Sequence, residues 1–153
     1  MTTRERIDAD YSQAAKARNA SVVSTLRLLR TALKYAEIEK MKPLTEEEVI
    51  DVIGREAKKL KDAIDSYAAG QRQDLVQSTE EEMTTLKQYL PAQLDDEALK
   101  KIIADKIAAL GAATIRDLGR VMGEVSKETK GRADGSKVSA LVKAALAGPP
   151  GGT

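Results

Sequence analysis

Tyr89-Leu90-Pro91-Ala92-Gln93-Leu94 separates two sets of apolar-periodic segments. Pro91 has no amide hydrogen and biases Leu90 away from helical backbone, so a helix arriving at Tyr89 must stop there. Working back from this point, Leu75, Thr79, Met83, Leu86 and Leu90 form one helical face, with Asp74 as its expected cap. Gly70 is the expected stop of the preceding helix, whose inward residues are Val49, Ile53, Ala57, Leu60, Ile64 and Tyr67. Thr45-Glu46-Glu47-Glu48 opens that helix as a capping box.

Met41-Lys42-Pro43-Leu44 breaks the pattern again. Before it, Val22, Leu26, Leu29, Leu33 and Ala36 make a one-sided stripe that Leu28 and Ala32 widen. Arg27, Arg30 and Lys34 share the opposite face. Asn19-Ala20-Ser21 reads as a break or cap. A first helix over 4–18 turns Ile7, Tyr11, Ala14 and Ala15 to one side.

Downstream of Pro91, Asp95 begins a helix with Leu99, Ile102, Ile103, Ile107 and Leu110 apolar, and Gly111 closes it. Thr114-Ile115-Arg116-Asp117 is a second capping box, before Ile115, Leu118, Met122 and Val125. The last helix follows Gly135, with Val138, Leu141, Val142, Ala145 and Leu146 inward. Alternating β-forming runs are absent, and the reading is all-α. It predicts an N-terminal helical domain over 1–90, a C-terminal three-helix domain over 91–147 and a disordered tail over 148–153.

At 153 residues the chain suffices for one compact domain or two small ones. It has four Tyr and neither Phe nor Trp, so the core must be aliphatic. There are no cysteines and no histidines. That excludes disulfides, thiol nucleophiles, thiolate zinc sites and imidazole bases, and with them a Ser-His-Asp triad. The N-terminus carries no apolar leader core, and no stretch approaches the length of a membrane span. The expectation is a cytoplasmic protein away from membranes.

Net charge is only +1, but its distribution is uneven. Residues 1–44 carry nine Lys/Arg against five Asp/Glu, residues 45–90 six against eleven, and residues 114–153 seven against four. Two basic ends flank an acidic middle, which permits an anionic partner at either end.

Carboxylates are the main candidates for acid–base work. Glu37 and Glu39 are two apart and do not face each other on a helix. The Glu46–Glu48 and Glu80–Glu82 runs read as surface acids at helix starts or turns. No phosphate-binding loop or dinucleotide fingerprint is present. No residue is assigned a catalytic or metal-binding role, and no cofactor is implied.

Nucleic-acid contact has better support. Arg116, Arg120, Lys127, Lys130, Arg132 and Lys137 span one helix, one loop and the start of the next helix. Cations of this kind suit backbone phosphates. No Tyr lies beyond position 89, so stacking on unpaired bases is disfavoured and contact with structured RNA is the better fit. In Lys130-Gly131-Arg132-Ala133-Asp134-Gly135, two glycines and two cations adjoin a candidate cap, Asp134. The stretch reads either as a capped helix–helix turn or as an anion contact. Gly119 and Gly123, inside a helix, each cost roughly 1 kcal/mol against alanine. They imply either close packing of a neighbouring helix or a bare strip where a ligand approaches.

Six stretches together resemble the GatB/YqeY family over about residues 4–147. They are Thr25-Leu26-Arg27-Leu28-Leu29, Glu37-Ile38-Glu39, Ala69-Gly70-Gln71-Arg72-Gln73-Asp74-Leu75, Tyr89-Leu90-Pro91-Ala92-Gln93-Leu94, Leu118-Gly119-Arg120-Val121-Met122-Gly123 and Lys130-Gly131-Arg132-Ala133-Asp134-Gly135. Asn19-Ala20-Ser21-Val22 departs from the pattern, where the family carries an acid and an Arg-Leu pair.

The resemblance implies a helical N-terminal domain and a three-helix C-terminal domain similar to the tail of the tRNA-dependent amidotransferase subunit. It implies a tRNA-handling accessory of a carbon–nitrogen ligase that uses glutamine as amido donor, without the ligase machinery itself. The implied partners are tRNA and an aminoacyl-tRNA synthetase or amidotransferase. In that reading Arg120, Lys130, Arg132 and Lys137 contact phosphates, while Gly119, Gly123 and Gly131 permit close approach. The alternative is a protein-interaction module whose Arg27, Arg30 and Lys34 face docks on an acidic, translation-related enzyme without RNA.

Overall fold

The computed structural model describes residues 1–147, so the tail expected over 148–153 lies outside the described residues. The described residues are all-α, with no strand, and none of their helices is long and apolar enough to cross a membrane. The chain forms two compact units, Met1–Pro91 and Ala92–Thr153.

The first unit holds α1 (Thr3–Lys16), α2 (Ala20–Lys40), α3 (Glu46–Ala69) and α4 (Gln73–Lys87). Helix α1 starts on a capping box that the sequence reading passed over. Glu5 N donates to the Thr2 hydroxyl (3.1 Å), and the Glu5 carboxylate accepts from Thr2 N (2.8 Å). Asn19 caps α2, its side-chain oxygen accepting from Val22 N. The expected box at Thr45 and Glu48 opens α3.

Helix α3 stops at Gly70, as expected. Gly70 caps it in an ordinary right-handed conformation, and Gln71 takes the left-handed one (φ 58°). Asp74 does not cap α4. Arg72 holds the cap position without a side-chain cap bond, and its guanidinium instead donates to Asp74 (3.0 Å and 3.1 Å).

Ile7, Leu26, Leu29, Leu33, Val49, Ile53 and Leu86 build the core of this unit, joined by Val52 and Tyr89, which the periodicity had not selected. Two expected core residues lie outside: Ala15 is exposed, and Leu28 is 63% exposed. The neighbouring helices cover the Leu26–Leu29–Leu33 line and leave the turn at Leu28 in solvent.

Polar side chains bolt these helices together. Arg30 donates to Asp8 (2.8 Å) and lies over the Tyr11 ring (4.3 Å). The Tyr89 hydroxyl donates to Asp10 (2.5 Å), and Arg6 lies over the Tyr89 ring. Glu46 accepts from Thr3 N (3.1 Å), tying the start of α3 to the start of α1.

The second unit holds α5 (Asp96–Leu110), a 3-10 turn (Ile115–Asp117), α6 (Leu118–Thr129) and α7 (Gly135–Ala147). Asp95 caps α5 by accepting from Ala98 N (2.8 Å), and Gly111 ends it with φ 63°. The Thr114–Asp117 box closes around the 3-10 turn instead of the first turn of α6. Leu99, Ile103, Val121, Val125, Val138, Val142 and Leu146 form a wholly aliphatic core. Val121, fully buried, was missed. Ile115, 50% exposed, and Ala145, exposed, turn away from it.

Candidate nucleic-acid interface

The outward face of α6 is the most unusual surface of the second unit. At about 100° per residue, Val121, Val125 and Thr129 fall on one side, and all three are buried. Gly119, Arg120, Gly123, Ser126 and Lys127 fall on the other, and all five are exposed. A methyl group added at Gly119 or Gly123 meets nothing within 4 Å. Close packing of a neighbouring helix therefore does not explain these glycines, and that reading is overturned. What remains is a strip of bare helix backbone bordered by two cations.

Those cations lean on local acids. Arg120 donates to the Leu110 carbonyl (3.0 Å) and lies 3.6 Å from Asp117. Lys127 sits 3.4 Å from Glu124 and is 78% exposed. Lys137 on α7 pairs with Asp96 at the start of α5. Exposed pairs of this kind are worth about 0–1 kcal/mol, so a phosphate can compete for the cations. Arg116 is exposed and lies in the 3-10 turn that precedes α6, not on α6 itself.

The 130–135 loop is a capped turn. Gly131 takes a left-handed conformation (φ 74°) that a side chain would strain. Its carbonyl accepts from the Gln93 side chain (3.1 Å), and the Arg132 carbonyl accepts from Leu94 N (2.8 Å). The loop is thus fixed to the start of the second unit. Asp134 accepts from Ser136 N (3.0 Å), as a cap should, and so occupies an amide that an anion would use. Of the two readings of this stretch, the capped turn is the one this bond shows. Lys130 remains exposed, Arg132 is half-buried, and Gly135 opens α7 with open space around it.

Three groups of this unit are held in their charged forms by their partners. Hydrogen bonds from the Ala113 and Thr114 amides hold the Asp117 carboxyl below the usual carboxylate range. The Lys137 ammonium does the same for Asp96. A hydrogen bond to Glu128 raises Lys106. No group of acids that could hold a metal ion is found among the described residues.

The expected partner face in the first unit is divided by the fold. Arg27 and Lys34 are exposed, whereas Arg30 is spent on Asp8 and Tyr11. Pairing with α1, twenty-two positions away, is a tertiary feature that helical spacing within α2 cannot reveal.

Comparison with known proteins finds relatives among fungi. Over 76 residues the chain is 33% identical to an uncharacterized protein, C22F3.15, of Schizosaccharomyces pombe, covering 50% of this chain and 62% of that protein. Over 132 residues it is 25% identical to altered inheritance of mitochondria protein 41, mitochondrial, of Pyrenophora tritici-repentis, covering 84% of this chain and 71% of that protein. The chain thus spans less than two thirds of its S. pombe relative. The model of the Yqey-like protein family matches residues 4–146, both helical units together, and the chain belongs to that family.

Proposed function

We propose that this protein is a non-catalytic tRNA-binding accessory, related to glutamine-dependent tRNA amidotransferase, whose second unit grips the phosphate backbone. The observation that carries the reading is the exposed Gly119–Gly123 strip with Arg120 and Lys127 along one edge. Two glycines inside a helix weaken it, and nothing among the described residues packs against them. A ligand backbone at close range gives them a use, and flanking cations give that ligand its charge. Lys130, Arg132, Arg116 and Lys137 extend the basic surface beyond the helix. Without aromatic side chains in this unit, recognition rests on the shape and phosphates of folded RNA. An aminoacyl-tRNA synthetase or amidotransferase would supply the chemistry. The setting is the cytoplasm; the mitochondrial name of the P. tritici-repentis relative belongs to that protein.

The test is binding of total cellular tRNA across a salt series, against a DNA duplex. Selective binding that weakens steeply with salt is expected, with the slope reduced by roughly 0.7–0.9 for each phosphate contact removed. Lys130→Ala with Arg132→Ala should lower affinity for every tRNA alike. No binding at low salt, or affinity indifferent to that pair, overturns the reading.

A further inference from the structure

The first unit carries a surface that the tRNA reading does not use. Leu28, Tyr35 and Ile38 on α2 are 63%, 69% and 61% exposed, and Met41 at its C-terminal end is 90% exposed. Their helical spacing puts Leu28, Tyr35 and Ile38 on one outward face, over about 15 Å of helix. Single exposed apolar residues are ordinary, but several large ones along one face mark an interaction surface. Beside Leu28, a dimple of about 40 Å3 between α2, α3 and α4 is floored by Leu29, Leu60 and Leu86. Arg27 and Lys34, both exposed, run along one edge of the stripe, and Glu56 and Glu82 line the dimple on the other side.

We infer that the Leu28–Tyr35–Ile38 face of α2 docks an amphipathic helix of a partner protein. That helix carries acidic residues along the edge that meets Arg27 and Lys34. The apolar stripe supplies affinity by removing Leu28, Tyr35 and Ile38 from water, as in other helix-on-groove contacts. The charged edge sets which helix fits. A second copy of this chain is a poor occupant. In an antiparallel two-fold pairing of α2 with itself centred on the stripe, Lys34 lies near the axis and would meet its own counterpart, like charge against like.

The probe is an 18-residue helical peptide with leucines at i, i+3, i+7 and i+10, glutamates along one edge and lysines along the other. Its control carries lysines on both edges. Fluorescence anisotropy with the full chain should show the glutamate-edged peptide binding about tenfold tighter than the control. Leu28→Ser with Ile38→Ser should weaken it at least about tenfold. Arg27→Glu with Lys34→Glu should reverse the preference between the peptides. All four positions are exposed, and unchanged circular-dichroism melts will show that the variants fold. Absence of binding by either peptide, or binding indifferent to both double substitutions, overturns the inference. Sedimentation showing a dimer of the wild-type chain that Leu28→Ser with Ile38→Ser dissociates also overturns it, by giving the face to a second copy.

Discussion

The arginines of α1 and α2 and the cations of α6 are used in different ways. In the first unit, Arg30 is spent on Asp8 and Tyr11, Arg6 on Tyr89 and the Gln88 carbonyl, and Arg4 on Asp8 and Glu37. These guanidiniums reach from one helix to another and help hold four helices in place. In the second unit Arg120 and Lys127 pair with acids one helical turn away and stay at the surface. The first unit adds a buried aromatic hydrogen bond, Tyr89 to Asp10, with burial pushing the phenol pKa up. The second has an aliphatic core beside one buried hydroxyl, Thr129, which donates back to the Val125 carbonyl of its own helix. A count of basic residues would rate both units as candidates for an anionic ligand. Only the placement of the partners separates structural cations from available ones.

That contrast can be broken or sharpened by substitution. The largest effect is expected from Ile103→Ala, which empties a fully buried site in the small aliphatic core and should cost about 2–5 kcal/mol. Calorimetry should then lower the transition of the second unit and leave that of the first in place. Movement of both transitions together would deny that the units fold separately. Tyr89→Phe should destabilise the first unit by about 1–2 kcal/mol, since a buried donor to a carboxylate is lost. Urea titration followed by circular dichroism measures it, and a change below about 0.3 kcal/mol would make the bond incidental.

Arg30→Gln should cost about 1 kcal/mol, from an ion pair and a ring contact together. Arg27→Gln, three residues earlier on the exposed side, should stay within about 0.5 kcal/mol of wild type. Equal costs would erase the distinction between bolted and available cations. The smallest effect is expected in acid. The folded-state pKa of Asp117 is depressed, so its contribution is fully present above the ordinary carboxylate pKa of about 4. It is lost as pH falls through the folded value. Asp117→Asn should therefore flatten the acid limb of the stability curve for the second unit and leave neutral-pH titration unchanged.

Local features were the legible ones. The boxes at Thr45–Glu48 and Thr114–Asp117, the Asp95 and Asp134 caps and the Gly111 stop each involve residues within a few positions, and all five appear in the structure. Thr2-Thr3-Arg4-Glu5 carried the same signal and could have been read. Periodicity found Leu26, Leu29, Leu33, Ile53 and Ile103 but misplaced Leu28, Ala15, Ile115 and Ala145. A stripe gives the direction of burial, while its width depends on which neighbouring helices cover it. The role of Arg30 was hidden because Asp8 and Tyr11 reach it only through the α1–α2 turn. At the candidate interface, composition located the cations and glycines of α6. The open space over Gly119 and Gly123 emerged only from the packing of the second unit.

The most direct test of that open strip is to fill it without changing charge. Gly119→Gln with Gly123→Gln adds two good helix formers where nothing stands in the way. Thermal unfolding should show the second unit stabilised by about 1 kcal/mol. Binding to total tRNA at low salt should weaken at least several-fold in the same variant. A more stable protein that has lost tRNA is the predicted result. A more stable protein that binds tRNA as well as the wild type would contradict the account.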